Sequence, residues 1–185
     1  MERIGERSRM VKKVSDLEGI AGLILPGGES TTFLKLLEEE GLAEPIRTFA
    51  DSHPVFGTCA GAILLAETVE NPAQRSLGLL HATVRRNAYG RQLASSVETL
   101  EVEPELQIGP EAGSPLEAVL IRAPIIVTVK QDVRILARLR GQPMLIRQGS
   151  LLAGTFHPEL TSDGRVHRYF SQMIHGGKPC CHLSE

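Results

Sequence analysis

A chain of 185 residues with 42% hydrophobic and 23% charged side chains suits one compact domain, residues 1–185, and excludes disordered, collagen-like and coiled-coil classes. The formal net charge is -2, and the basic residues form only short pairs such as Arg85-Arg86, so no nucleic-acid partner is expected. Cys59, Cys180 and Cys181 make no disulfide framework, and no apolar run approaches the roughly 18–20 residues that span a bilayer, so no membrane partner and a cytoplasmic location are expected.

Strand-like and helix-like segments alternate, which predicts an α/β fold with a mostly parallel sheet. Met10 to Val14 is a short strand candidate. Leu23-Ile24-Leu25 is a second, ended abruptly by Pro26-Gly27-Gly28. A helix is predicted from Ser30 or Thr31 to Glu40, because Phe33, Leu34, Leu36 and Leu37 share one face and Gly41 is a natural stop. Pro45 suits the first turn of a second helix carrying Ile46 and Phe49. Pro54-Val55-Phe56 reads as a buried strand, followed by a helical run from Ala62 to Glu67. Strands are then predicted over Leu79 to Val84, Leu93 to Val102, Leu116 to Arg122, Ile125 to Val129, Val133 to Leu139, Met144 to Gln148 and Leu151 to Phe156. Pro104 to Pro115 reads as a surface connection, Gly164 to Ile174 as a last helix, and 176–185 as a flexible tail.

Cys59 stands between Gly57 and Gly61 at a strand-to-helix junction. That is the nucleophile-elbow pattern with cysteine in place of serine. The glycines permit a sharp turn, and the following helix directs free N–H groups at the sulfur, which favours thiolate. The N–H of Ala60 is placed to donate to a developing oxyanion. Among six histidines, His157 follows an apolar strand and precedes Pro158-Glu159. In an extended segment residues two apart face one side, so Glu159 can orient the His157 ring; an ordinary turn after a strand is the competing reading. Pro26-Gly27-Gly28-Glu29-Ser30 lacks the ending of a phosphate-binding loop and suits an oxyanion or amide substrate better.

These three motifs, in this order, resemble those of the class-I, triad-type glutamine amidotransferases. Leu25 to Thr32, Arg86-Asn87-Ala88-Tyr89-Gly90-Arg91-Gln92, Ile121-Arg122-Ala123-Pro124 and Phe156 to Thr161 are similar to one branch, the glutaminase subunits of pyridoxal 5'-phosphate synthase. The resemblance covers about residues 10 to 175. It implies a doubly wound three-layer sandwich and a catalytic triad of Cys59, His157 and Glu159. It implies that Gly27, Gly28, Glu29, Arg86, Ile121 and Arg122 bind L-glutamine, with Gly28 and Ala60 at the oxyanion. An arginine suits the α-carboxylate of a free amino acid. Hydrolysis of glutamine through a cysteine thioester, with ammonia delivered to a ring-shaped synthase partner for vitamin B6 synthesis, is implied; no metal and no cofactor are. Cys180, Cys181, His175 and His182 fit no zinc spacing well.

Members of that branch begin with an apolar first strand and a Leu-Gln-Gly loop, which are missing here. Met1 to Arg9 resembles the end of their first helix. This leaves open a misplaced start, replacement of the strand by another segment, or a truncated, catalytically impaired docking subunit of the same complex.

Overall fold

The computed structural model describes residues 1–86 and 95–176. Strand β1 (Leu23–Leu25) is stopped by Pro26, and helix α1 (Ser30–Glu39) begins at Glu29, whose carboxylate accepts the Thr31 N–H at 3.2 Å. Gly41, at φ 65°, follows its end. Helix α2 (Ala43–Ala50) buries Ile46 and Phe49. Strand β2 (Val55–Thr58) and helix α3 (Ala60–Leu65) flank Cys59. The chain continues through β3 (Ala66–Glu70), β4 (Leu80–Arg85), β5 (Ser95–Val102), β6 (Leu116–Ile121), β7 (Ile125–Val129), β8 (Arg134–Leu139), β9 (Gln142–Gln148), β10 (Leu151–Gly154) and α4 (Arg165–Ile174).

The larger sheet has the order β1-β2-β10-β9-β8-β5-β6, and β3-β4-β7 form a smaller one. Parallel pairing is concentrated where the cysteine elbow lies: β1 with β2, β2 with β10, and β3 with β4. From β10 outward to β6 the ladders are antiparallel. Connections explain the division. Parallel neighbours need a long crossover, which α1 and α2 supply between β1 and β2. The β8–β9 connection instead turns tightly at Arg140 and Gly141, both at positive φ, which makes an antiparallel hairpin.

Side-chain alternation makes the three layers. Val55, Leu151 and Ala153 enter a core shared with Leu34, Leu37, Ile46 and Leu64 from α1, α2 and α3. Phe56 and Leu152, their neighbours in sequence, enter the opposite core with Val166, Tyr169 and Phe170 of α4. The Phe56 and Phe170 rings lie 5.5 Å apart. Every residue of β2 and β10 is buried, as a strand covered on both faces requires. Complete burial of Phe56 or Leu152 contributes about 1.5–3 kcal/mol each. No helix among the described residues is long and apolar enough to cross a membrane.

Several local expectations are corrected. Met10 to Val14 forms no strand. The Asp16 carboxylate accepts the N–H groups of Lys12 and Lys13 at 2.9 and 3.1 Å, turning the chain into a 3-10 turn over Val14–Leu17. Met1 to Arg9 carries a 3-10 turn, Glu2–Ile4, closed by Gly5 at φ 82°. Helix α3 stops at Leu65, because Ala66 already pairs with Leu80 in the small sheet. Within the Pro104 to Pro115 connection, Leu106 is completely buried and anchors it to the core. The Asn87 to Gln92 motif, Cys180, Cys181 and His182 lie outside the described residues.

Candidate active site

Cys59 sits between β2 and α3 at φ 49° and ψ -103°, a conformation that non-glycine residues adopt rarely and that marks a tight, strained turn. Its N–H donates to the Gly154 carbonyl of β10 at 2.8 Å. Both flanking glycines are required by contact. A Cβ at residue 61 would meet the Leu25 carbonyl oxygen at 1.9 Å, and one at residue 57 would meet the Gly61 backbone at 2.5 Å. The first turn of α3 therefore lies directly against the backbone of β1 and β2. Ala60 opens α3, where an N–H has no intrahelical acceptor. The Cys59 Sγ lies 3.9 Å from the carbonyl of Ile121 at the end of β6.

His157 follows β10, and its N–H donates to the Val119 carbonyl of β6 at 2.9 Å. On one side the Cys59 side chain is near enough to raise the pKa of its imidazole. On the other, Nδ1 lies 2.8 Å from Glu159 Oε1. The pairing of His157 with Glu159 was expected from an extended segment. Instead, Pro158–Leu160 form a 3-10 turn capped by His157, and the turn folds the carboxylate back under the ring. These contacts raise the His157 pKa from 6.5 to about 10, the bond with Cys59 first and that with Glu159 second, against the opposing effect of burial. Burial pushes the Glu159 carboxyl upward, but the hydrogen bond from His157 and its charge prevail, and the net shift is downward.

The β1–α1 loop lies over this pair. A Cβ at residue 27 would stand 2.5 Å from His157 Cε1 and 3.5 Å from Cys59 Cβ. Gly28, at φ 148°, uses a backbone conformation that side chains rarely allow, and nothing stands within 4 Å of its absent Cβ. Glu29 Oε1 accepts from the Thr31 hydroxyl at 2.7 Å and from Arg86 Nη2 at 3.1 Å. The Thr31 hydroxyl, then its N–H, and also the charges of Arg86 and Arg122 hold the Glu29 carboxyl below its ordinary value, against burial. Arg86 is nearly buried just past β4. Arg122 is exposed at φ 45° immediately after β6.

The structure thus brings Cys59, His157, Glu159, Gly27 and the Ile121 carbonyl together. Glu29 is paired with Arg86 at 3.1 Å, and the charge of Arg122 acts on the same carboxylate. Of the other described histidines, His53 stacks on Phe49 with ring centroids 4.3 Å apart, His81 pairs with Asp132 at 2.8 Å and His175 with Glu6 at 2.9 Å, while His167 lies edge-on to Phe56 and near Glu159. Among the described residues no cluster of histidine, cysteine or carboxylate side chains is arranged for a metal. Two groups escaped the sequence reading, the carbonyls of Val119 and Gly154. Both act through the backbone, which leaves no mark in residue type.

The family model of the SNO glutamine amidotransferases matches residues 1–176. A Koribacter versatilis protein named pyridoxal 5'-phosphate synthase subunit PdxT is 51% identical, with 96% of this chain and 88% of the relative covered. A Thermus thermophilus protein of the same name is 49% identical, with 94% and 88% covered. The crystal structure of a glutamine amidotransferase is similar at a TM-score of 0.85 and 45% identity, covering 94% of this chain and 89% of that one. With the elbow cysteine, its histidine and the glycine loop in place, this chain belongs to the SNO glutamine amidotransferase family.

Proposed function

We propose that this chain is a single glutaminase domain that hydrolyses L-glutamine and supplies ammonia to the synthase subunit of a pyridoxal 5'-phosphate synthase. Cys59 is its nucleophile, His157 its general acid and base, and Glu159 the group that orients and charges His157. The observation that carries this reading is the elbow Cys59 and the His157 ring meeting at Gly27, with His157 Nδ1 2.8 Å from Glu159 Oε1, in a member of an amidotransferase family. The names of the relatives support the pathway.

The chemistry follows from the placement. The Cys59 thiolate attacks the side-chain amide carbon of glutamine. The N–H groups of Gly28 and Ala60 receive the charge that develops on the amide oxygen. Protonated His157 donates to the departing nitrogen, so ammonia leaves and a γ-glutamyl thioester remains. The neutral imidazole then takes a proton from water, which attacks the thioester. Glutamate departs, and the thiolate and the imidazolium are restored. Arg86 and Arg122 suit the α-carboxylate of the substrate, and the ionised Glu29 suits its α-ammonium. Ile121 closes the site beside Cys59. The synthase partner is a ring-shaped assembly to which this subunit docks.

The test is glutamate production from glutamine with and without the synthase subunit, beside Cys59→Ala. Partner-stimulated turnover that disappears in the variant is the expected result. Turnover unaffected by Cys59→Ala would defeat the assignment.

A further inference from the structure

We propose that Gln74 is a positioning residue for this reaction: through the Ser30 hydroxyl it sets the Gly27–Glu29 loop over the nucleophile. The proposal rests on the glutaminase reading above.

Ser30 follows Glu29, opens α1 and is only 3% exposed. Its hydroxyl donates to Gln74 Oε1 at 2.9 Å, across 44 residues of chain. Gln74 lies in the connection 71–79 between β3 and β4. That connection is fastened on several sides. Arg75 pairs with Glu38 of α1 at 2.9 Å, and the Ser76 hydroxyl donates to the Ala66 carbonyl at 2.6 Å. Arg47 of α2 donates to the carbonyls of Leu77 and Ser76 at 2.8 and 3.1 Å. Gln74 therefore reaches Ser30 from a fixed support.

The other end of the Gln74 amide is unusual. Its Nε2 is buried and has no hydrogen-bond partner among the described residues. Here the unpaired donor accompanies a bond to the residue next to the substrate loop. Glu29, one position earlier, is held by Arg86, which lies beyond the β4 end of the same connection. Two side chains thus grip adjacent residues, and the segment they fix is the one that nearly touches the His157 ring at Gly27. Small displacements of groups aimed at a transition state lower turnover more than they weaken substrate binding.

The experiment measures kcat and KM for glutamine in the complex with the synthase subunit. The variants are Gln74→Leu, Gln74→Glu, Ser30→Ala and Ser30→Ala combined with Gln74→Leu, with Cys59→Ala as control. Gln74→Leu removes the acceptor and is expected to lower kcat about tenfold with KM changed less than about twofold. Gln74→Glu keeps an acceptor for the hydroxyl and is expected to restore kcat to within about twofold of the parent. Ser30→Ala matches Gln74→Leu, and the double variant is no slower than either single one, because both remove the same contact. If Gln74→Leu does not accumulate, Ser30→Ala and Gln74→Glu decide the matter by the same readouts. Parental kcat in Gln74→Leu or Ser30→Ala overturns the proposal, as do multiplicative losses in the double variant. A parent complex without Cys59-dependent turnover overturns the glutaminase reading and this proposal together, whereas normal parent activity with a silent Gln74 overturns this one alone.

Discussion

Gly27 and His157 approach so closely that a Cβ on residue 27 would stand 2.5 Å from Cε1 of the imidazole. The ring has little room to retreat. Its backbone is tied to Val119, and its Nδ1 is engaged by Glu159. Gly27→Ala must therefore shift either the ring or the loop, and both belong to the proposed site. A loss of about 100-fold or more in glutamate production is expected, with the circular dichroism melt nearly unchanged. Activity near the parent level would show that the ring can move without harm.

This contact also marks how far the sequence was legible. The Gly-Thr-Cys-Ala-Gly elbow could be read because a sharp turn needs glycine at both flanks, and the contacts of Gly57 and Gly61 show why. Helices α1 and α2 were visible in apolar spacing and in stop signals such as Gly41. What could not be read was set by distant backbone. The passage of β6 beside both Cys59 and His157 depends on the carbonyls of Ile121 and Val119. The end of α3 at Leu65 was hidden for a related reason. Ala66 is pulled into a ladder with Leu80, and tertiary pairing outweighs a local preference for helix. At Met10 to Val14 a single carboxylate, Asp16, captured the backbone that a strand would have used.

Glu159 does more than hold the ring in place. Its hydrogen bond is the second cause, after Cys59, of the elevated His157 pKa. Glu159→Gln preserves shape but removes the charge. The His157 titration should move down from about 10, and turnover should fall by about 100- to 10,000-fold. Imidazole resonances followed by NMR across pH, together with the glutaminase assay, check both expectations. An unchanged titration would mean that Glu159 contributes only packing.

The same shifts give the pH dependence of stability its sign. His157 has a folded pKa raised from 6.5 to about 10, so the folded state binds the proton more tightly. Its stabilisation is complete below pH 6.5, declines above that and is lost as pH rises through about 10. Glu159 has the opposite sense. Its folded pKa lies below 4.5, so its stabilisation is complete above that value and is lost as pH falls through the lowered one. Thermal melts of the parent and His157→Gln between pH 6.5 and 10 should converge or cross as alkali removes the parent's advantage. Parallel curves would show that His157 carries no such linkage.

Arg165 and Asp163 test the support behind the site. Arg165 is wholly buried, and each nitrogen of its guanidinium donates a hydrogen bond. Nε lies 3.1 and 3.0 Å from the two Asp163 oxygens, and Nη2 is 2.6 Å from Oδ2. Nη1 and Nη2 also donate to the carbonyls of Ser114 and Pro115 at 2.9 and 2.8 Å. Those carbonyls immediately precede β6, the strand whose Val119 holds His157. Arg165→Met leaves the nearly buried Asp163 carboxylate with only the backbone N–H of residue 165 and two carbonyls without their donor, and should destabilise the fold by about 3–5 kcal/mol in urea unfolding. Adding Asp163→Leu removes the stranded charge, so the double variant should be less destabilised than the sum of the single ones. If the pair served only its own stability, the double variant would recover turnover along with its fold. Because the Ser114 and Pro115 carbonyls stay unheld, its kcat should remain below the parent even in fully folded protein.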